Sequence, residues 1–115
     1  MNKELIDKLQ DFLEDCGWFY FQYDEKNQTV EFRIDAPNDG NHYIEATTRS
    51  IDDFMDDIKS NVEFDVDEYV YLWLQNKRMG DKDIPSARCI VEDGEHIQKE
   101  LNELYNNLTE FFNTL

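Results

Sequence analysis

The chain has 115 residues, 40% of them apolar and 14% aromatic, a length that suits one domain able to bury well over half of the surface its unfolded form exposes. Twenty-seven acids stand against eleven bases, and the formal net charge of −16 argues against direct contact with nucleic acid or an anionic membrane, whose phosphates it would repel. The aromatic content argues against an acidic disordered chain, which would lack the groups that fill a core.

In chain order, Asn2 is placed to cap a first helix in which Leu5, Ile6, Leu9, Phe12, Leu13 and Cys16 recur at three- and four-residue spacing, and Gly17 supplies its left-handed stop. The period then changes. Trp18 to Tyr23 is aromatic-rich, Glu25-Lys26-Asn27-Gln28 reads as a turn, and Thr29 to Asp35 alternates Val30, Phe32 and Ile34 with Glu31, Arg33 and Asp35, which is a hairpin pattern. Pro37-Asn38-Asp39-Gly40 makes a second turn before His42 to Thr48, where Ile44 and Ala46 oppose Tyr43, Glu45 and Thr47. These segments predict a three-stranded antiparallel meander.

Ser50 opens an acidic helix with Asp53 at capping-box spacing, and Ile51, Phe54, Met55, Ile58 and Val62 form its apolar stripe. That stripe would turn Asp52, Asp53, Asp56 and Asp57 outward. The pairs Asp52/Asp56 and Asp53/Asp57 are like charges at i,i+4, each costing an isolated helix roughly 0.2 to 0.5 kcal/mol. Asp65 to Glu68 repeats the capping spacing, and a third helix is expected to run to Met79 with Gly80 as its stop. Its centre, Tyr69-Val70-Tyr71-Leu72-Trp73-Leu74, is apolar on every side, which suits a sandwiched helix or an oligomer interface. A strand is the alternative there, given its Val, Tyr and Trp.

Asp81-Lys82-Asp83 reads as a loop, and Ile84-Pro85-Ser86 opens the last element with Ser86 as cap. From there Ile90, Gly94, Ile97, Leu101, Leu104, Leu108, Phe111 and Leu115 recur in heptad-like steps. Three repeats are short for a free coiled coil, so this helix is expected to dock on the domain. Gly94 either breaks it or lets another backbone pack against it. The resulting fold class is α+β, in the order α-β-β-β-α-α-α, with the meander packed by an N-terminal helix and two to four following helices.

Candidate chemistry is sparse. Only His42 and His96 could serve a nucleophile as a base. Cys89, Asp93 and His96 fall on one helical stripe and could mimic a metal half-site, but the plainer expectation is a semi-buried thiol, a solvated carboxylate and a surface imidazole. The glycines are isolated, with no phosphate-binding loop, and Asp24 to Glu31 lacks the alternating carboxylates and central glycine of a calcium loop. No cofactor, metal or catalytic residue is expected. Cys16 and Cys89 belong to no C-x-x-C pair, and no secretory leader or membrane span is visible, so a reducing cytoplasm is the expected location.

Charge is the stronger signal. Ser50 to Tyr71 carries eight acids, Asp52, Asp53, Asp56, Asp57, Glu63, Asp65, Asp67 and Glu68, against the single base Lys59. In contrast, Lys77, Arg78, Lys82 and Arg88 form the one basic island, placed to balance neighbouring charge or touch a partner. A dense row of carboxylates could occupy the phosphate groove of a DNA-binding enzyme, since duplex DNA presents one charge per about 1.7 Å of axis. The expected function is therefore a non-enzymatic acidic domain that binds a basic protein surface, with a DNA-mimic inhibitor of a nuclease or other DNA-processing enzyme as its sharpest form. The alternative is an accessory module that forms a homodimer through Tyr69, Tyr71, Trp73 and the last helix.

Val66-Asp67, Trp73, Lys77-Arg78, Ile84-Pro85-Ser86, Arg88 and the run from Val91-Glu92-Asp93 through Leu101 and Leu104 resemble a tail shared by small acidic proteins of gut gram-positive bacteria and their mobile elements, over about residues 64 to 108. Gly94 stands where that tail has alanine and Ile90 where it has leucine. The resemblance implies a context and no mechanism, because that family has no assigned biochemical activity.

Overall fold

A computed structural model describes residues 1–78 and 86–115, without the side chains of residues 76–78. The expected stop at Met79 and Gly80, the loop at Asp81 to Asp83 and Pro85 lie outside the described residues, as do the side chains of Lys77, Arg78 and Lys82. The elements follow the order α1 (Lys3–Asp15), β1 (Trp18–Asp24), β2 (Thr29–Asp35), β3 (Asn41–Thr47), α2 (Ile51–Val62), α3 (Val66–Arg78) and α4 (Ala87–Asn113). This is the α+β arrangement with a β1-β2-β3 antiparallel sheet.

Local chemistry sets the boundaries. Asn2 Oδ1 accepts from Leu5 N at 2.8 Å, and Gly17 adopts φ 94° just past α1, the left-handed geometry that glycine enters without a Cβ clash. Ile6, Leu9 and Leu13 are the buried face of α1. In the β1–β2 turn, Asp24 accepts from Asn27 N at 3.1 Å and from Asn27 Nδ2 at 2.7 Å. Those bonds hold the Asp24 carboxyl below its usual range.

Period-two alternation sends Val30, Phe32, Ile34, Ile44 and Ala46 to one face of the sheet, where each is at most 3% exposed. β2 and β3 pair without interruption from Thr29↔Thr47 to Asp35↔Asn41. β1 does not. Its register shifts between Phe19 and Gln22, and Tyr20 sits at φ 59°, so Tyr20 and Phe21 together oppose the single residue Phe32. This bulge is why the aromatic run at Trp18 to Tyr23 shows no clean alternation.

The helices cover the inner face. In α2, Phe54 and Ile58 are fully buried, Met55 and Val62 are half-buried, and Ile51 stays exposed, so the expected stripe is narrower than its sequence suggests. Ser50 Oγ caps the helix by accepting from Asp53 N at 3.1 Å. The 27 residues of α4 make a rod of about 40 Å. Ile90, Ile97, Leu101, Leu104 and Leu108 are buried along it. Phe111 stacks on Phe12 of α1 with centroids 4.7 Å apart, and Phe112 meets Phe54 of α2 edge-on at 5.7 Å. The heptad-like stripe is thus consumed inside the domain, apart from Leu115, which is exposed.

Residues 66–78 are helical, which settles the helix-or-strand alternative. The expectation of a helix sandwiched on all sides is corrected: α3 packs chiefly on α4, with Val66, Tyr69, Val70, Trp73 and Leu74 half-buried and Tyr71 and Leu72 more than half exposed. Gly94 explains how α3 comes so close. α4 continues through it, and a Cβ there would stand 3.1 Å from both Tyr69 Cδ1 and Val66 Cγ1. The helix does not break at this glycine, and what comes close to it are side chains of α3 and not another backbone.

Candidate functional site: an acidic corner over an apolar groove

The eight acids of the Ser50 to Tyr71 stretch separate by what their carboxylates do. Asp52, Asp53 and Asp56 are exposed on α2. Asp57 is the exception to the outward quartet: it is half-buried, and its Oδ2 accepts from Thr47 N at 2.8 Å. Thr47 belongs to the edge strand β3, so Asp57 satisfies a backbone donor that an edge otherwise leaves to water or to another chain. Beyond α2, Asp65 Oδ1 accepts from Asp67 N at 2.9 Å and Glu68 N at 3.3 Å, the capping role expected for it. Glu63, Asp67 and Glu68 are exposed, with Asp67 and Glu68 in the first turn of α3. There they meet the positive end of the helix dipole.

Between these acids lies a groove of about 320 Å³ lined by His42, Ser60, Asn61, Phe64, Tyr69 and Leu72, with Glu63, Asp65 and Glu68 on the same wall set. Each wall has a local cause. His42 shares the inward parity of Ile44 and Ala46 on β3, which turns its ring under the corner. Its Nε2 lies 3.3 Å from Asn61 Oδ1, while Asn61 Nδ2 donates to the Asp57 carbonyl at 2.9 Å. Burial lowers the His42 pKa from its ordinary 6.5, and the Asn61 contact opposes that only in part. The ring is therefore neutral near pH 7. Phe64, in the short link between α2 and α3, packs its ring 5.2 Å from His42 and 5.6 Å from Tyr69, closing an aromatic floor.

Behind this floor is a polar lock. Asp93, expected to be a solvated carboxylate, is only 1% exposed. Its Oδ1 accepts from Asn38 N at 2.9 Å and Asn38 Nδ2 at 3.1 Å, and its Oδ2 accepts from Gly40 N at 2.8 Å. The β2–β3 turn is thereby tied to the middle of α4. Burial, reinforced by the Asp93 charge, raises the Tyr69 pKa. A Cβ on Gly40 would crowd the Tyr69 hydroxyl and stand 2.6 Å from Asp93 Oδ2, so any larger residue would displace one of these groups. The Cys89, Asp93 and His96 stripe does not gather as a site, because Asp93 is spent on this turn. Among the described residues, no group of three or more His, Cys, Asp or Glu is placed to hold a metal ion.

Ion pairs among the described residues join Lys8 to Glu4, Arg33 to Asp35, Arg88 to Glu92 and Lys99 to Glu103. None involves the acidic corner, and Arg88 of the basic island serves its own helix. Both cysteines are free and half-buried. Burial, with Asp15 and Glu100 nearby, raises the Cys16 pKa, which keeps that thiol in its unreactive protonated form at neutral pH.

The acids and Tyr69 are legible in the sequence, but the groove is not. Its one advance signal was the parity of His42; Phe64 and Leu72 gave none, because a linker phenylalanine and an exposed helical leucine depend on how α2 and α3 meet. No helix among the described residues is long and apolar enough to cross a membrane. Comparison with protein-family models, with curated proteins and with solved structures finds no match to this chain.

Proposed function

We propose that this chain is a non-enzymatic acidic domain that binds a basic protein surface at the α2–α3 corner. The observation that carries this reading is the pairing of an apolar groove with exposed carboxylates: His42, Phe64, Tyr69 and Leu72 inside, Glu63 and Glu68 at the rim, and Asp52, Asp53 and Asp56 on the adjoining helix. An apolar contact can supply affinity while surrounding charge steers and selects the partner. A lysine- or arginine-bearing segment with one apolar side chain fits both features.

A DNA-binding enzyme is one such basic partner, and DNA mimicry is the sharper form of the proposal. Asp52 and Asp56 are one turn apart, about 6 Å along the axis, so α2 offers three free carboxylates over a length comparable to about two base pairs. The groove adds an apolar contact that duplex DNA does not offer, which favours a protein partner recognised by more than charge. Two free thiols suit a reducing compartment such as the cytoplasm.

The test is capture of partners from native cells by the full chain at low and high salt, with quantitative identification, repeated with Asp52, Asp53 and Asp56 changed together to Asn. Salt-sensitive capture that the triple variant loses supports the reading. Competition by duplex DNA then separates mimicry from other basic partners. A second reading, homodimerisation through α3, is favoured by the adjacent exposure of Tyr71 at 56% and Leu72 at 52%. It predicts a dimer in light scattering that Tyr71→Ser with Leu72→Ser dissociates.

A further inference from the structure

We propose that the outer face of the sheet is a second docking surface, which takes a basic segment of another protein by stacking it on Phe19, Tyr20 and Tyr43 and pairing its lysine or arginine with Glu31 and Glu45. The helices occupy the opposite face, and these three aromatics are 51%, 45% and 45% exposed. The bulge in β1 creates this arrangement. Tyr20 adopts φ 59°, a left-handed conformation that is unfavourable for a non-glycine residue, and in doing so places Phe19 and Tyr20 consecutively on the outer face. Regular alternation would have sent Tyr20 into the core.

Arg33 fixes the aromatics. Its Cζ lies 5.3 Å from the Tyr20 ring centre and 5.7 Å from that of Tyr43. Its Nη1 donates to the Tyr43 hydroxyl at 3.2 Å, and Nε stands 2.9 Å from Asp35 Oδ1, off the direction of a hydrogen bond. The two tyrosine rings meet edge-on at 5.8 Å. Rings held in place before binding lose little entropy when a partner arrives.

Charge names the occupant. Glu31 is paired directly with Glu45 across the β2–β3 ladder, on the same outer face, and directly opposed like charges destabilise a sheet. Among the described residues neither carboxylate has a cation in ion-pair reach, so an incoming ammonium or guanidinium relieves a repulsion the fold carries. Arg33 is already committed to Asp35. Nucleic acid, which would otherwise suit an aromatic platform with an arginine, meets carboxylates where its phosphates need bases. A second copy would bring a second Glu31/Glu45 pair and a net charge of −16.

The experiment is amide-resolved NMR of the full chain titrated with the capped peptide Lys-Trp-Lys, with Gly-Trp-Gly and Lys-Gly-Lys as controls. The expected result is saturable shifts at Phe19, Tyr20, Arg33, Tyr43 and Glu45, stronger with Lys-Trp-Lys than with either control. Binding read at Tyr20, Tyr43 and Glu45 should weaken by about tenfold in Glu31→Gln/Glu45→Gln and be lost in Tyr43→Ser. The charge variant decides alone if Tyr43→Ser loses its dispersed spectrum. Shifts confined to the α2–α3 corner, or undiminished in Glu31→Gln/Glu45→Gln, would overturn the proposal. So would shifts at the sheet face that grow with protein concentration in the absence of peptide, since a second copy would then be the occupant.

Discussion

Asp93 and Asp56 are both mid-helix aspartates, one in α4 and one in α2, and their surroundings are opposite. Asp93 is buried and accepts three hydrogen bonds from the β2–β3 turn, whereas Asp56 is exposed and its carboxylate meets no donor or cation among the described residues. Asp57, one residue further on, belongs with Asp93, because it accepts from the backbone of β3. The difference teaches that an acidic sequence is a mixture of two populations. One population substitutes for the donors' water and holds elements together; the other is left over once the fold is complete and is available to a partner.

The largest expected effect comes from the first population. Asp93→Ala strips the acceptors from Asn38 N and Gly40 N, and each buried donor left unpaired costs about 1 to 3 kcal/mol. A loss of about 3 kcal/mol in urea denaturation is expected, together with faster amide exchange at Asn38 and Gly40. A loss below about 1 kcal/mol would move Asp93 into the second population. Asp57→Ala should cost about 1 kcal/mol, read in the same way, since it orphans one donor at an edge where water can replace the carboxylate.

The separation of these populations was only half legible in the sequence. The order of elements could be read from alternation in β2 and β3, from Asn2, Ser50 and Ser86 as caps, and from the apolar spacing of α1 and α4. Asp93 could have been read as buried as well, since it falls between Ile90 and Ile97 on the stripe that α4 turns inward. Asp57 could not, because its partner is a strand backbone whose position depends on where α2 lands. The β1 bulge was equally hidden: an aromatic at positive φ runs against residue preference, and only packing around Arg33 gives it a reason. The groove was hidden for a third reason, being made where a helix–helix corner passes over His42.

A smaller effect is expected from His42. Its folded pKa lies below 6.5 because burial disfavours the charged ring. The unfolded chain therefore binds a proton more readily, and the stability that the neutral ring contributes is fully present above pH 6.5 and is lost as pH falls through the folded value. Comparing stability from pH 7.5 down to pH 5 in the native chain and in His42→Gln should show a steeper decline in the native chain. Equal slopes would mean that His42 protonates as freely folded as unfolded.

The most direct test joins stability and binding in one variant, with Asp52, Asp53 and Asp56 all changed to Asn. Removal of their like-charge repulsion is worth only a few tenths of a kcal/mol per i,i+4 pair and is offset by loss of the favourable contact of Asp52 and Asp53 with the positive end of α2, so the chain should unfold at nearly the same urea concentration as the native protein. Capture of a basic partner from native cells at low salt should nevertheless be lost. A variant that keeps its stability and captures the same proteins with the same salt dependence would contradict the claim that these three carboxylates are the part of the acidic surface that the fold leaves free to bind.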